Sequence, residues 1–150
     1  MTTKEYIIVD VDGTIFNCDH RQEFAQTGQW EEFHARSASD EPYPDIVDLL
    51  GIFDRAGKQI IALTGRNERF RLQTDTAFLK YGIWVDELLM RDDGDFSRDI
   101  EFKIAALEKF FGDKEAVLAN VLLVIDDRDR VVTGLRAYGL TVLQPREGAY

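Results

Sequence analysis

The chain is poor in cysteine and has no long hydrophobic run. Its one cysteine, Cys18, cannot form a disulfide within the chain, which is typical of a reducing compartment and predicts a cytoplasmic protein. The longest uninterrupted apolar run is VLLVI at 121–125, whereas a membrane-spanning helix needs about 20 apolar residues. The opening residues, MTTKEYIIVD, lack the apolar region of a secretory signal. We therefore expect no membrane association.

Positive charge is also scarce. The net charge is −10 at pH 7, and nonspecific affinity for nucleic acid comes from neutralising phosphates, so the composition argues against a general nucleic-acid-binding protein. The twelve arginines qualify this conclusion, because seven of them lie in three short clusters: Arg66, Arg69 and Arg71; Arg91 and Arg98; Arg128 and Arg130. Guanidinium groups suit phosphate oxygens, and they also pair with surface acids. The clusters are therefore either phosphate-binding groups or partners of the surplus carboxylates.

Apolar segments and helical patterns alternate along the chain. Its 150 residues, 45% apolar and 31% charged, are typical of one globular domain. Buried strands are predicted at 5–9, 59–63, 84–90, 121–125 and 140–143, and helices at 44–57, 67–81, 99–111 and 129–138. This alternation predicts an α/β fold, a parallel sheet with helices on both faces. Residues 14–43 interrupt it and predict a small insertion of two short helices, a candidate lid.

Short polar or acidic groups follow three of the predicted strands at their carboxyl ends: Asp10-Val11-Asp12, Thr64-Gly65-Arg66 and Asp126-Asp127-Arg128. In parallel α/β sheets, ligands bind at this edge. Side chains alternate along a strand, so Asp10 and Asp12 are predicted to project to the same side, where two like charges repel unless a cation or a shared proton relieves them. Carboxylate oxygens, with no sulfur ligand and no histidine pattern beside them, suit Mg²⁺. We therefore predict a Mg²⁺ site at this edge of the sheet.

These groups together fit phosphoryl transfer. A carboxylate beside Mg²⁺ can attack phosphorus and form an aspartyl-phosphate, and Asp10 is the predicted nucleophile. Asp12 is the predicted general acid for the leaving oxygen and then the base for water. The Thr64 hydroxyl and the Gly65 N–H are predicted to hold phosphoryl oxygens. Lys103, near the start of a predicted helix, is expected to balance the charge of the acids.

The ordered motifs Asp-x-Asp-Gly-Thr, Thr-Gly-Arg, Lys and Asp-Asp resemble those of the haloacid dehalogenase superfamily of phosphatases. The resemblance extends from Tyr6 to about Gln144. It implies a Rossmann-like fold, one domain over residues 1–150 with 14–43 as a small cap-like insertion, and Mg²⁺-dependent hydrolysis of phosphomonoesters.

The same resemblance implies a set of metal ligands. They are Asp10, the backbone carbonyl of Asp12, and Asp126, with Asp127 in support. It also implies that the phosphoryl group passes through Asp10.

A closer likeness is to the 3′-phosphatase domain of phage polynucleotide kinase-phosphatases. The matching segments are VDVDGTI, GKQIIALTGR, LLMRDDGDFSRDIEFK, VIDDRDRVV and RAYGLTVLQ. The likeness implies removal of 3′-phosphates from polynucleotide ends in nucleic-acid repair. Arg98 matches the arginine-rich segment of those domains, and Arg66 and Arg128 are further predicted substrate contacts. The chain lacks a Gly-x-x-x-x-Gly-Lys-Ser/Thr loop, so no kinase half is predicted and a separate kinase or ligase is a candidate partner.

Two alternative functions stay open. A (deoxy)nucleotidase, or another phosphatase for small phosphoesters, is favoured by the acidic composition, because a polyanion is repelled over a Debye length of about 10 Å. A signalling receiver module also gathers an acidic pair, a phosphorylated aspartate, a threonine and a lysine around Mg²⁺. In receivers the acidic pair lies on the first strand and the phosphorylated aspartate on the third. Here the adjacent acids, Asp126 and Asp127, come last, which disfavours that interpretation.

Overall fold

The computed structural model of the protein describes residues 4–149. Within this range the strands are β1 (Tyr6–Val9), β2 (Phe16–Asn17), β3 (Glu41–Pro42), β4 (Gln59–Asn67), β5 (Glu87–Arg91), β6 (Val121–Ile125) and β7 (Val142–Leu143). The helices are α1 (Gln22–Gln26), α2 (Trp30–Ala35), α3 (Pro44–Arg55), α4 (Arg71–Lys80), α5 (Asp99–Phe111), α6 (Lys114–Asn120) and α7 (Asp129–Tyr138). Short 3₁₀ turns occupy Asp19–Arg21, Arg36–Ser39 and Glu68–Phe70.

Five of the strands form one parallel sheet in the order β5-β4-β1-β6-β7. The central strand β1 pairs with β4, where Ile7 lies opposite Ile60, and with β6, where Ile7 lies opposite Leu123. Because these strands are parallel, the residues that follow β1, β4 and β6 come to the same edge of the sheet. This edge is where the sequence places its acidic groups.

Helices cover both faces of the sheet because the side chains of β1 alternate between two cores. Ile7 and Val9 pack with residues of α3 and α4, and Ile8 packs with residues of α5, α6 and α7. The predicted α/β fold, a parallel sheet with helices on both faces, is confirmed. No helix within residues 4–149 combines the length and the apolar composition that crossing a bilayer requires.

The segment between β1 and α3 leaves the sheet through a tight turn. Gly13 has a φ of 81°, and its N–H donates to the Phe16 carbonyl at 2.8 Å, so the chain reverses directly after the acidic pair. The segment then forms α1, α2 and a two-stranded antiparallel sheet in which Phe16 lies opposite Pro42. Its role as a cap or lid stays a prediction. The predicted domain limits, residues 1 and 150, lie outside the described residues.

Several element boundaries differ from those predicted. The strand predicted at 59–63 continues to Asn67 across a register shift after Thr64, so the helix predicted at 67–81 begins only at Arg71. The strands predicted at 84–90 and 140–143 are β5 and the two-residue β7. The helices predicted at 99–111 and 129–138 are confirmed as α5 and α7. Helix α6 and the β2–β3 pair were not predicted, because neither is long enough to show a periodic pattern.

Candidate active site

The carboxyl edge of the sheet carries a buried cluster of charged side chains. Asp10 follows β1, Asp126 and Asp127 follow β6, and Lys103 comes from the second turn of α5. The Lys103 Nζ donates to Asp10 Oδ1 at 2.9 Å and to Asp126 Oδ2 at 2.6 Å. The Asp10 N–H donates to the Ile125 carbonyl at 2.9 Å, which joins the ends of the two strands. The fold therefore brings together four of the residues that the sequence singled out, Asp10, Asp126, Asp127 and Lys103.

Burial makes several negative charges in this cluster unfavourable. Burial, partly offset by Lys103 and reinforced by Asp126, raises the pKa of Asp10 to about 7. Burial also raises the pKa of Asp126, again against the opposing charge of Lys103. Burial alone would lower the pKa of Lys103, but Asp10, Asp126 and Asp99 raise it well above its usual value. The lysine is therefore charged.

The residues of this cluster fit a divalent cation. Carboxylate oxygens of Asp10, Asp126 and Asp127 lie within 4.8 Å of one another, and all three residues are buried. Asp10 and Asp126 share the ammonium group of Lys103, which leaves one negative charge of this pair without compensation from the lysine. The Thr14 hydroxyl lies 3.2 Å from both Asp10 Oδ2 and Asp127 Oδ1 and so orients these two acids. Hard oxygen ligands with excess negative charge could hold a metal ion such as Mg²⁺.

The Asp12 side chain lies in a separate ion-pair network. Arg66 donates to it from Nε at 3.0 Å and from Nη2 at 2.7 Å, and Arg21 donates to it from Nη2. Both guanidinium groups also contact Asp40, Arg21 from Nε at 2.8 Å and Arg66 from Nη2 at 3.3 Å. Burial alone would raise the pKa of Asp12, but Arg66 and Arg21 hold it well below its usual range. Asp12 is therefore ionised.

The predicted substrate contact Arg66 lies inside this network. Its side chain is only 1% exposed, and its Nη1 donates to the Thr74 hydroxyl at 3.0 Å. Among the described residues, those that line the cleft beside Asp10 do not include Arg66. These contacts favour a role for Arg66 in orienting Asp12, and its contact with substrate stays a prediction.

Sequence reasoning missed two members of the network, Arg21 and Asp40. They belong to the insertion, are 19 residues apart, and meet only because the fold brings them to Asp12. The Arg21 side chain is fully buried. No local pattern distinguishes such an arginine from a surface residue, since its partners are distant along the chain.

A cleft of about 480 Å³ opens beside the cluster, and its lining includes Asp10, Thr64 and Gly65. The Thr64 hydroxyl oxygen accepts the N–H of Arg66 at 3.1 Å, so its own hydrogen can donate to a ligand in the cleft. A Cβ on Gly65 would lie 2.6 Å from Asp99 Oδ1, so a larger residue at this position would displace the Asp99 carboxylate. The predicted phosphate-holding groups therefore line the same cleft as the predicted nucleophile.

The two other predicted substrate arginines also line the cleft. The Arg98 side chain is 80% exposed and pairs with Glu101 at 2.5 Å. The Arg128 Nη1 lies 3.4 Å from Asp99 Oδ2. Their predicted role on substrate stays a prediction. Arg91, which also lines the cleft, braces it by donating to the Gly65 carbonyl at 3.3 Å.

Comparison with known proteins gives a match over nearly the whole chain. The family model of the polynucleotide kinase PNKP phosphatase domain matches residues 4–150. A chain of the Pnkp1/Rnl/Hen1 RNA repair complex is 26% identical, with a TM-score of 0.81 over 98% of this chain and 44% of that chain. A second structure of the Pnkp1/Rnl/Hen1 complex gives 25% identity and a TM-score of 0.81, over 100% of this chain and 49% of that one. The chain thus spans less than half the length of the chains it matches in these complexes.

More distant structures share the fold. A hydrolase from Streptococcus pneumoniae TIGR4 is 16% identical, with a TM-score of 0.61 over 95% of this chain and 92% of that chain. The L-2-haloacid dehalogenase from Xanthobacter autotrophicus is 14% identical, with a TM-score of 0.60 over 95% of this chain and 77% of that chain. No curated protein sequence matches the chain.

Proposed function

The chain belongs to the family of polynucleotide kinase PNKP phosphatase domains, within the haloacid dehalogenase superfamily, and from this premise we propose that it removes 3′-phosphates from polynucleotide ends with Mg²⁺ as cofactor. The family and the fold make it a hydrolase of the phosphatase type. The observation that carries the phosphoryl chemistry is the convergence of Asp10, Lys103 and Asp126 beside Thr64 and Gly65 in one cleft, and the match to the PNKP phosphatase domain supports the polynucleotide substrate.

In the proposed reaction, an Asp10 carboxylate oxygen attacks phosphorus, and the bond from phosphorus to the 3′-oxygen breaks. Asp12 gives a proton to the leaving oxygen. Water then attacks the phosphorus of the aspartyl-phosphate while Asp12 takes up its proton, and the bond from phosphorus to Asp10 breaks. Thr64 and the Gly65 N–H donate to the phosphoryl oxygens in both steps.

The ion pairs of Asp12 control its protonation state, and Asp12 can act as an acid only when it is protonated. Paired with Arg66 and Arg21, the Asp12 carboxylate is held ionised, which suits the second, water-activating step. A phosphate dianion entering the cleft adds a like charge beside Asp12 and raises its pKa. The substrate itself therefore promotes the protonation that the first step requires.

The carboxylates of Asp10, Asp126 and Asp127 would hold Mg²⁺, with the Asp12 carbonyl as the further ligand that the resemblance implies, and the ion would supply positive charge against the phosphoryl group. Lys103 holds the Asp10 carboxylate in place and balances part of the charge of the acids.

The test is phosphate release from a 3′-phosphorylated oligonucleotide, measured beside its 5′-phosphorylated twin and the 3′- and 5′-mononucleotides. Each substrate is used with Mg²⁺ and with chelator, and Asp10→Asn is the blank. We expect Mg²⁺-dependent release, fastest from the 3′-oligonucleotide. Equal or faster release from mononucleotides would remove the polynucleotide substrate from the proposal, and undiminished release by a folded Asp10→Asn variant would remove the mechanism.

A (deoxy)nucleotidase is the second candidate, and the charge of the molecule favours it. The net charge is −10, and the cleft residues Arg98 and Arg128 are in contact with carboxylates. Salt separates the two functions, because polynucleotide binding weakens steeply with salt whereas mononucleotide binding weakens only slightly. The KM of each substrate is therefore measured at low and moderate salt in the same assay.

We also place the activity in nucleic-acid end repair beside other enzymes. Chains of the Pnkp1/Rnl/Hen1 RNA repair complex resemble this chain and are more than twice as long. A separate kinase or ligase would then supply the remaining steps in a reducing, cytoplasmic setting. Added kinase and ligase should convert an end with a 3′-phosphate into a sealed strand only when the active phosphatase is present.

A further inference from the structure

The cleft carries aromatic side chains that the phosphoryl chemistry does not use. Helix α2 places Trp30, Phe33 and His34 on one face, and all three line the cleft that contains Asp10. Phe33 is buried and anchors this face, since the Arg21 guanidinium carbon lies 4.1 Å from its ring centroid. Trp30 packs edge-on against Phe33 with 5.7 Å between ring centroids, and 49% of its surface stays exposed. The helix therefore presents a supported indole ring to the cleft.

A second aromatic ring comes from the segment between β5 and α5. Phe96 lines the same cleft and is 95% exposed, so it adds almost nothing to the core. Its segment is nonetheless held by hydrogen bonds: Arg91 Nη1 donates to the Ser97 carbonyl at 2.8 Å, and the Ser97 N–H donates to Asp95 Oδ1 at 2.9 Å. The Phe96 ring is therefore exposed at the cleft while its backbone is held in place, as expected of a side chain that contacts a ligand.

Three arginines at the cleft lie in ion pairs with carboxylates: Arg69 with Glu31 at 3.2 Å, Arg98 with Glu101 at 2.5 Å and Arg128 with Asp99 at 3.4 Å. Their positive charge is partly neutralised on a chain of net charge −10. Contacts with phosphates beyond the one being hydrolysed are therefore a weak source of affinity. Aromatic faces bind nucleobases without needing positive charge.

We propose that Trp30 and Phe96 form a stacking platform for the nucleobase of the nucleotide whose phosphate is removed. The cleft volume, about 480 Å³, lies within the roughly 300–1,000 Å³ usual for small-ligand sites. This inference rests on the proposed function, because the phosphate must reach Asp10 while the base lies against the two rings. It makes the substrate a phosphomonoester of a nucleoside, recognised at both its phosphate and its base.

The kinetic test compares two oligonucleotides with a 3′-phosphate, one with an ordinary terminal nucleoside and one with an abasic terminal sugar. We expect the ordinary terminus to have a kcat/KM about tenfold higher, as is typical of base–aromatic stacking. Trp30→Ala and Phe96→Ala should each reduce this preference while leaving turnover of the abasic substrate unchanged. Trp30→Phe should keep most of the preference for the ordinary terminus, because phenylalanine also offers an aromatic face. Trp84→Ala is the matched control, because Trp84 is 66% exposed and precedes β5 at the other edge of the sheet.

A binding test does not depend on turnover. The chain has two tryptophans, so in a Trp84→Phe variant Trp30 is the sole indole fluorophore. Its fluorescence should be quenched by the 3′-phosphorylated oligonucleotide, much less by the abasic one, and not by inorganic phosphate.

The two tests separate the platform from the proposed function. Quenching without phosphate release keeps the platform and overturns the phosphatase proposal for this substrate. Phosphate release with no base preference and no quenching keeps the phosphatase and overturns the platform. If the folded Phe96→Ala variant loses the same factor in kcat/KM on the ordinary and the abasic oligonucleotide, the platform is also overturned, since Phe96 would then act on the reaction rather than on the base.

Discussion

Asp10 and Asp12 stand two residues apart, yet their surroundings move their pKa values in opposite directions. Burial beside Asp126 raises the pKa of Asp10, and the guanidinium groups of Arg66 and Arg21 overcome burial and lower that of Asp12. Both shifts run against the proposed roles, because a nucleophile must be ionised and a general acid protonated. The reaction would therefore require a cation beside Asp10 to lower its pKa and the substrate dianion beside Asp12 to raise that of Asp12. The difference comes from their neighbours: β1 ends at Val9, so the two acids lie beyond the strand, and their side chains enter different ion-pair networks.

Asp10→Asn should abolish turnover and stabilise the protein in the presence of chelator. The amide keeps the shape of the side chain and leaves Lys103 paired with Asp126 alone. A rise in the pKa of Asp10 from 3.8 to about 7 corresponds to at most about 4 kcal/mol of unfolding free energy at pH 8. Urea unfolding measures the gain in the free energy of unfolding. The control is Asp54→Asn, because Asp54 is exposed. A loss of stability would show that the carboxylate stabilises the fold.

His34 should make the protein sensitive to mild acid. Burial, together with Arg66 and Arg21 and against Asp12, lowers the pKa of His34 to about 4, whereas the unfolded value is 6.5. The folded state therefore binds fewer protons between these values, and stability is lost as the pH falls from 6.5 towards 4, by at most about 3 kcal/mol. His34→Phe should flatten this fall in unfolding free energies measured from pH 7 to pH 5. Parallel curves for the two proteins would exclude this role.

At the scale of elements, the buried ion network attaches the insertion to the sheet. Arg21 and Asp40 come from the insertion, whereas Asp12 and Arg66 follow or end strands of the main sheet. The four groups carry two positive and two negative charges, so the network is balanced. Removal of one member leaves one uncompensated charge in the buried network, and breaking a buried ion pair in this way destabilises by about 3–5 kcal/mol.

A double-mutant cycle tests this attachment. Arg21→Met and Asp40→Leu should each destabilise strongly, whereas the double variant restores charge balance and should lose clearly less than the sum. Hydrogen exchange over residues 18–42 should rise more than exchange in β1 or β6. If the losses in unfolding free energy add in the double variant, or if exchange rises equally over residues 18–42 and in β1 and β6, the insertion is held by other contacts.

Sequence patterns predicted the elements that are long and end at glycine. Helices α5 and α7 were predicted with their observed limits because each has an apolar face and is followed by Gly112 or Gly139. Asp10, Asp126, Asp127 and Lys103 came together because strand ends in a parallel sheet share one edge, whereas the Asp12 side chain lies in a separate ion-pair network. The burial of Arg66 could not be predicted, since its partner Asp40 lies 26 residues away and on another element.

At the scale of the whole molecule, the net charge of −10 and the buried acids of the cleft both predict that cations stabilise the protein. The two effects differ in kind. Surface screening acts through ionic strength and is nearly the same for any salt. Binding of a divalent cation at the carboxyl edge of the sheet would require the oxygen atoms of Asp10, Asp126 and Asp127 together, so it would depend on the ion and on each ligand.

Removal of the metal should therefore lower the Tm beyond what screening explains. A cation at 100 times its Kd adds about 2.7 kcal/mol, which in a chain of 150 residues raises the Tm by about 5–10 °C. We expect this difference between Mg²⁺ and chelator at matched ionic strength, and most of it should disappear in Asp126→Asn but not in exposed Asp54→Asn. If NaCl alone gives the same rise, or if Asp126→Asn responds like the wild type, the acids of the cleft do not form the cation site and the Mg²⁺ dependence of the proposed reaction fails with them.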